Sequence, residues 1–86
     1  MMKLDEIIEK TQEDFTRLTK LPVDGIVGLS REQGVWLVTL EALERRAIPD
    51  TMDILGLYEV RMTDDGELQS LERKKLRKRG ETKEED

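Results

Sequence analysis

The stretch AIPDTMDILGLYEV, residues 47–60, contains a break in regular structure followed by a strand. Pro49 fixes its own φ and has no N–H to donate, so the hydrogen-bond ladder of a central strand cannot run through it. Beyond the proline, Tyr58 and Val60 alternate with Glu59, which is the period-two pattern of a strand with one buried face. The stretch therefore predicts a corner that leads the chain into a strand.

Two aspartates at this corner could be structural residues or a pair of catalytic carboxylates. We expect Asp50 to cap a short helical turn that begins after Pro49, and Asp53 to face solvent. A catalytic pair needs a pocket that moves two pKa values apart, and nothing in the sequence indicates such a pocket. The structural interpretation is therefore the stronger one.

The sequence on both sides of the corner predicts strands joined by tight turns. Strands are expected at 23–30 and 35–44, and the sequence REQG between them favours a turn in which Gly34 adopts positive φ. Trp36 opens the second strand, and we expect it to be largely buried against the N-terminal helix, near Phe15 or Leu18. Further strands are expected at 55–62 and 67–75, with Gly66 in the Asp-Gly hairpin turn between them.

The N-terminal segment has apolar residues at helical spacing and predicts a helix over residues 3–20. Pro22 disfavours helical geometry at the residue before it, so the helix should end near Lys20. The apolar stripe could cover the sheet or could bind a partner, and we favour packing on the sheet. The stripe contains Leu4, Ile7, Ile8, Phe15 and Leu18.

A helix followed by strands indicates an α+β fold, with an N-terminal amphipathic helix packed on a small antiparallel sheet of three to four strands. The 86 residues suit one small domain, which we expect to span residues 1–79. Residues 80–86 are expected to form a disordered acidic tail.

The composition argues against several classes of function. The chain has no cysteine and no histidine, which removes disulfides, thiolate metal sites and the commonest general base. No glycine-rich phosphate loop or nucleophile motif is present. We therefore expect no enzyme activity, no cofactor and no metal. No apolar run is long enough to cross a bilayer and no signal peptide is evident, so a cytoplasmic location is expected.

Charge is unevenly distributed in a chain of net charge −5. Residues 1–72 carry 16 acidic and 8 basic side chains, whereas residues 73–79 carry six basic and no acidic ones. This basic block could be a solvated surface, a phosphate-binding surface or a docking site for an acidic protein surface. Its candidate partner-binding residues are Arg73, Lys74, Lys75, Arg77, Lys78 and Arg79.

From about residue 34 to residue 80 the sequence resembles the gas vesicle protein O family. The central pattern, R-x-I-P-D-x-x-D-I-L-x-x-Y-E-V, begins at Arg46 and is the most specific part. The family often has tyrosine among its C-terminal arginines, where this chain has Leu71 and Leu76. The resemblance rests on Trp36, Glu41, Glu44, Arg46, Ile48, Pro49, Asp50, Asp53, Ile54, Leu55, Tyr58, Glu59, Val60, Asp65, Gly66, Glu67, Leu68, Arg73 and Arg79.

This resemblance implies a non-enzymatic accessory protein of gas vesicle formation that contacts other gas vesicle proteins. It also implies a structural role for the motif residues, among them Trp36, Arg46, Tyr58, Glu59 and Gly66. The alternative is a regulator of gas vesicle gene expression that binds nucleic acid through the basic block.

Overall fold

The computed structural model describes residues 2–80, which form one helix and a four-stranded antiparallel sheet in the order β1-β2-β3-β4. The predicted α+β class is confirmed, with four strands in the described part of the chain. The remainder of the expected acidic tail, residues 81–86, lies outside the described residues. The elements are α1 (Leu4–Thr19), β1 (Val23–Glu32), β2 (Val35–Arg45), a 3-10 turn (Asp50–Met52), β3 (Ile54–Thr63) and β4 (Leu68–Lys78).

Helix α1 begins and ends as its sequence predicts. The backbone N–H groups at the start of a helix have no acceptor within the helix. Here the N–H of Lys3 donates to the Glu6 carboxylate at 2.9 Å. At its end Lys20 adopts a left-handed conformation, with φ at 64°, two residues before Pro22. The face turned to the sheet contains Ile7, Thr11, Asp14 and Phe15, all of them buried.

Thr11 interrupts the apolar stripe of α1 without leaving an unpaired polar group. Its hydroxyl is completely buried and donates to the carbonyl of Ile7 at 2.6 Å. Leu18, by contrast, is 53% exposed, so the last turn of the stripe lies outside the core.

The strands form a meander joined by two tight turns and the corner. Gln33 and Gly34 both have positive φ, at 53° and 79°, which is the conformation of a two-residue turn with the hand that suits twisted strands. Gly66 has φ at 87°, and its N–H donates to the carbonyl of Thr63 at 3.0 Å. Both predicted turns are therefore present where the sequence places them.

The core lies between α1 and one face of the sheet. Cross-strand partners share a face, and the pairs Val38–Val60 and Leu40–Tyr58 place four large side chains under the helix. The Phe15 ring packs edge-on against Tyr58, with centroids 4.8 Å apart. The buried cluster consists of Ile7, Phe15, Val38, Leu40, Ala42, Tyr58, Val60 and Met62.

Trp36 is only partly buried, and it packs at the margin of this cluster. It lies beside the β1–β2 turn, where the Arg31 guanidinium stands 5.7 Å from the centroid of its ring. The expectation that Trp36 is largely buried is met in part. The side chain packs against the cluster that contains Phe15 but stays partly exposed, because the second residue of β2 lies close to the end of the sheet. The aromatic partner of Phe15 is Tyr58 and not Trp36.

Strand β4 continues to Lys78, three residues beyond its predicted end. Its pairing with β3 shifts twice, near Gln69 and near Lys74, and each shift inserts one residue into the strand. Most of the basic block is therefore part of the sheet. Gly80, expected to begin a disordered tail, donates its N–H to the carbonyl of Thr51 at 2.9 Å.

Candidate partner-binding surface

Most of the predicted site residues lie toward one end of the sheet, where β2 and β4 finish and β1 and β3 begin, whereas Trp36 and Gly66 lie at the opposite end. We name the first of these the corner end, because residues 46–53 cross there from β2 to β3. The 3-10 turn Asp50–Met52 follows Pro49, as expected, but Asp50 makes no side-chain cap. Pro49 itself occupies the capping position, so the exposed Asp50 is the first residue of the turn.

Asp53 is the buried anchor of this crossover, contrary to the expectation that it faces solvent. It is only 4% exposed. Its carboxylate accepts hydrogen bonds from the N–H of Ala47 at 2.7 Å and from Nε of Arg79 at 3.2 Å. The Asp53 side chain therefore connects both ends of the crossover, residues 46–53, to the segment that follows β4.

Arg79 extends this connection to the opposite edge of the sheet. Its guanidinium contacts Asp24 at 3.0 Å, and its backbone N–H donates to the carbonyl of Asp53 at 2.8 Å. The residue thus binds β1, the crossover and the end of β4 together. A planar guanidinium with several donors suits such bridging better than an ammonium group.

Arg77 binds Glu41 on the sheet face opposite the helix. Two hydrogen bonds of 2.7 Å and 2.9 Å join the guanidinium to the two carboxylate oxygens across β3. The hydrogen bonds from Arg77 outweigh the effect of burial and lower the pKa of Glu41. This paired, partly buried arrangement is a structural ion pair.

Glu44 connects Tyr58 and Arg73 on the helix side of the same end. The Tyr58 hydroxyl donates to the Glu44 carboxylate, and Arg73 lies 3.7 Å from it. Gly56 leaves room for that carboxylate, since a Cβ at this position would collide with it. Burial, and then the hydrogen bond to Glu44, raise the pKa of Tyr58 to about 12.

The six basic residues of the block therefore divide into two groups. Arg73, Arg77 and Arg79 point to acidic partners within the fold. Lys74, Lys75 and Lys78 are exposed, and Lys74 lies 3.5 Å from Glu72 and 3.9 Å from Glu59. Arg73 is exposed as well, so Arg77 and Arg79 are the partly buried members of the block.

Of the acidic partners of these arginines, Asp53 was among the predicted site residues, whereas Asp24, Glu41 and Glu44 were not. Glu41 and Glu44 belong to the family pattern, but the pattern does not indicate which arginines they contact. Asp24 lies outside that pattern, 55 positions from Arg79 in the sequence.

Apolar side chains are unusually exposed at the corner end. Ile48 is fully exposed, Leu76 is 50% exposed and Met52 is 44% exposed. Arg45 and Arg46, also exposed, adjoin them. Exposed apolar groups next to cations form a surface that can contact another protein.

Within residues 2–80, no group of three or more acidic side chains is arranged to hold a metal ion. The helical segments described are too short or too polar to span a membrane.

Comparisons with known proteins identify the chain's relatives. Residues 1–83 match the family described as "Gas vesicle synthesis protein GvpO". The chain is 32% identical over 77 residues to Gas vesicle protein O of Haloferax mediterranei, and these cover 88% of the chain. It is 34% identical over 76 residues to Gas vesicle protein O1 of Halobacterium salinarum, again covering 88% of the chain.

The similarity also extends to a bacterial relative. Gas vesicle protein O of a Streptomyces species is 32% identical over 66 residues, which cover 77% of the chain. The matched regions span 55%, 64% and 52% of the three relatives, so this chain corresponds to little more than half of their length. No solved structure matches it. The match over almost all of its residues shows that the chain belongs to the gas vesicle protein O family.

Proposed function

We propose that the protein is a non-enzymatic accessory factor that assists gas vesicle assembly through contacts with other gas vesicle proteins. Family membership supports the gas vesicle context. The observation that carries the protein-contact role is the exposure of Ile48, Met52 and Leu76 beside cationic side chains. We place its action in the cytoplasm, in keeping with a chain that lacks cysteine.

The same end of the molecule is less suited to nucleic acid. Four of the six cations in the basic block, Arg73, Lys74, Arg77 and Arg79, lie within ion-pair distance of carboxylates of the fold. Phosphate binding depends on cations that are available to neutralise phosphates and displace their counterions. Single-stranded nucleic acid also needs aromatic stacking surfaces. The three aromatic residues are Phe15, Trp36 and Tyr58, and all three pack in or against the core.

The function is tested by complementation in a host that forms gas vesicles. Deleting the gene should abolish or reduce the vesicles, and restoring it should return them. A variant with Lys74, Lys75 and Lys78 changed to Gln should retain the fold and assemble fewer vesicles. The matched control changes Lys3, Lys20 and Arg61, exposed cations outside the basic block, to Gln, and should assemble vesicles normally.

Pairwise co-purification identifies the mode of action. Each gas vesicle protein of the host is co-expressed, one at a time, with this protein, and the two are tested for co-purification. Binding of duplex DNA and of RNA is measured in parallel, all at about 150 mM salt, where distant exposed charges are screened. Binding to at least one gas vesicle protein supports the proposal. Tight binding to nucleic acid with no protein bound would favour the regulator instead.

A further inference from the structure

Helix α1 leaves one corner of its own sheet face uncovered. The N–H of Met2 donates to the carbonyl of Asp64 at 2.9 Å, so the helix starts beside the β3–β4 turn. After the helix, the carbonyl of Pro22 accepts from the N–H of Leu43 at 2.9 Å, which places its exit beside β1 and β2. The helix therefore crosses the sheet obliquely, and the start of β3 and the end of β4 lie outside its cover.

The uncovered corner is a groove with an apolar floor. Leu76 pairs with Gly56, and Lys78 pairs with Ile54, so Leu76 and Ile54 share the helix side of the sheet. A cavity of about 520 Å³ lies over them. A second cavity of about 350 Å³ adjoins it, shares Ile54 in its lining and reaches Met52. We name the two together the corner groove.

The rim of the corner groove is positively charged in a protein whose net charge is −5. Among residues 2–80, the only acidic side chain that lines it is Glu44, whose carboxylate is occupied by Tyr58 and Arg73. Arg45, Arg46 and Lys78 line the groove and are all exposed. A local cationic rim on an acidic body orients an approaching acidic partner toward this one place.

We propose that the corner groove binds an acidic amphipathic segment of a partner protein. Apolar side chains of the segment would lie on Ile54, Leu76 and Met52, while its carboxylates would meet the cations of the rim. The groove lacks an aromatic platform for a base, which favours a protein segment over nucleic acid. The inference rests on the proposed function, since it names where and by what chemistry the accessory protein contacts its partner.

A designed peptide tests this chemistry on the purified protein. The probe is a fluorescein-labelled helix of about 15 residues, with leucine on one face at helical spacing and glutamate elsewhere. Its fluorescence anisotropy is titrated with the protein at about 150 mM salt. We expect saturable binding, and competition by the unlabelled peptide. A peptide with lysine in place of glutamate should fail to compete.

Two groove variants and two matched controls locate the binding. Leu76→Ser and Arg45→Glu should each weaken binding at least about tenfold, as expected for anchors of a contact surface. Leu18→Ser removes an equally exposed leucine from α1, 53% against 50% exposed. Arg61→Glu reverses an exposed arginine of β3 that does not line the groove. Both controls should bind within about twofold of the wild type, and circular dichroism confirms that all four variants are folded.

Several results would overturn the inference. These are no binding of the glutamate peptide by the folded wild type, equal binding by the groove and control variants, or equal competition by the lysine peptide. Self-association that Leu76→Ser abolishes would assign the groove to a second copy, and displacement of the peptide by duplex DNA would assign it to nucleic acid. The titration needs no gas vesicle protein, so its result is separate from the complementation test of the proposed function.

Discussion

Arg79 and Asp53 are joined twice, through the backbone at 2.8 Å and through their side chains at 3.2 Å. The two residues are 26 positions apart in the sequence, yet this contact closes the corner end of the sheet. Because Asp53 also holds the N–H of Ala47, its removal affects three parts of the chain together. The Asp53 carboxylate therefore has a structural role at the corner that does not depend on a partner.

Replacing Asp53 should destabilise the fold, whereas replacing Asp50 should not. Asp53→Ala leaves the N–H of Ala47 without its acceptor and should cost about 1–3 kcal/mol. Asp50 is exposed and makes no side-chain cap, so Asp50→Ala should change stability by no more than about 0.5 kcal/mol. Urea unfolding of both variants measures the difference. Equal midpoints would contradict the anchoring role of Asp53.

The sequence predicted the local elements well because each has a local physical cause. The apolar residues of α1 recur at helical spacing, and the helix ends shortly before Pro22. The Gln33-Gly34 turn needs residues with positive φ, a conformation that glycine adopts readily. The full length of β4 was less predictable. Its inserted residues break the period of two, so Leu71 and Leu76 share the helix side although their spacing is odd.

The ion pairs of the corner end could not be predicted in the same way. Arg77 and Glu41 are 36 positions apart, and Arg79 and Asp24 are 55 apart. Such pairs form only when the folded sheet brings the ends of three strands together, and no short sequence pattern predicts that arrangement. The sequence accordingly indicated one continuous basic block, whereas in the structure Arg73, Arg77 and Arg79 are paired with acidic side chains that are distant in the sequence.

Asp14 should make stability depend on acid pH. Burial raises its pKa, but hydrogen bonds from Lys10 and Arg17 outweigh burial and hold the pKa below 3.8. The ionised form is therefore favoured by folding, and its contribution is present above pH 3.8 and lost as the pH falls through the lower, folded-state pKa. Asp14→Asn should cost about 1 kcal/mol at pH 7, and the deficit should shrink at the most acidic pH at which both proteins fold. Thermal unfolding across pH 2–7 measures it, and a deficit independent of pH would exclude ionisation as its cause.

The phenol of Tyr58 should lose its proton at an unusually high pH. Burial and the Glu44 carboxylate favour its protonated form and raise its pKa to about 12 from an ordinary value of 10.0. This contribution to stability is present below pH 10.0 and is lost as the pH rises toward 12. Since it is the only tyrosine, absorbance of the phenolate reports it without ambiguity. Titration of the folded protein near pH 10 would contradict the contact with Glu44. Tyr58→Phe should cost about 1.5–3 kcal/mol at pH 7, because a hydrogen bond to a charged group is lost.

Gly56 should tolerate no side chain, whereas Gly25 should accept one. A Cβ at Gly56 would collide with the Glu44 carboxylate and lie 2.9 Å from the Tyr58 ring, so Gly56→Ala should displace both and cost about 1–3 kcal/mol. At Gly25 a Cβ would meet nothing within 4 Å, and the same substitution should be neutral or stabilise the protein by about 0.4–1 kcal/mol. Urea unfolding of the two variants provides the comparison. In Gly56→Ala the phenolate titration should also shift toward the ordinary value of 10.0, because the bond to Glu44 is broken. Loss of stability without that shift would show that the alanine acts elsewhere than on the Tyr58–Glu44 pair.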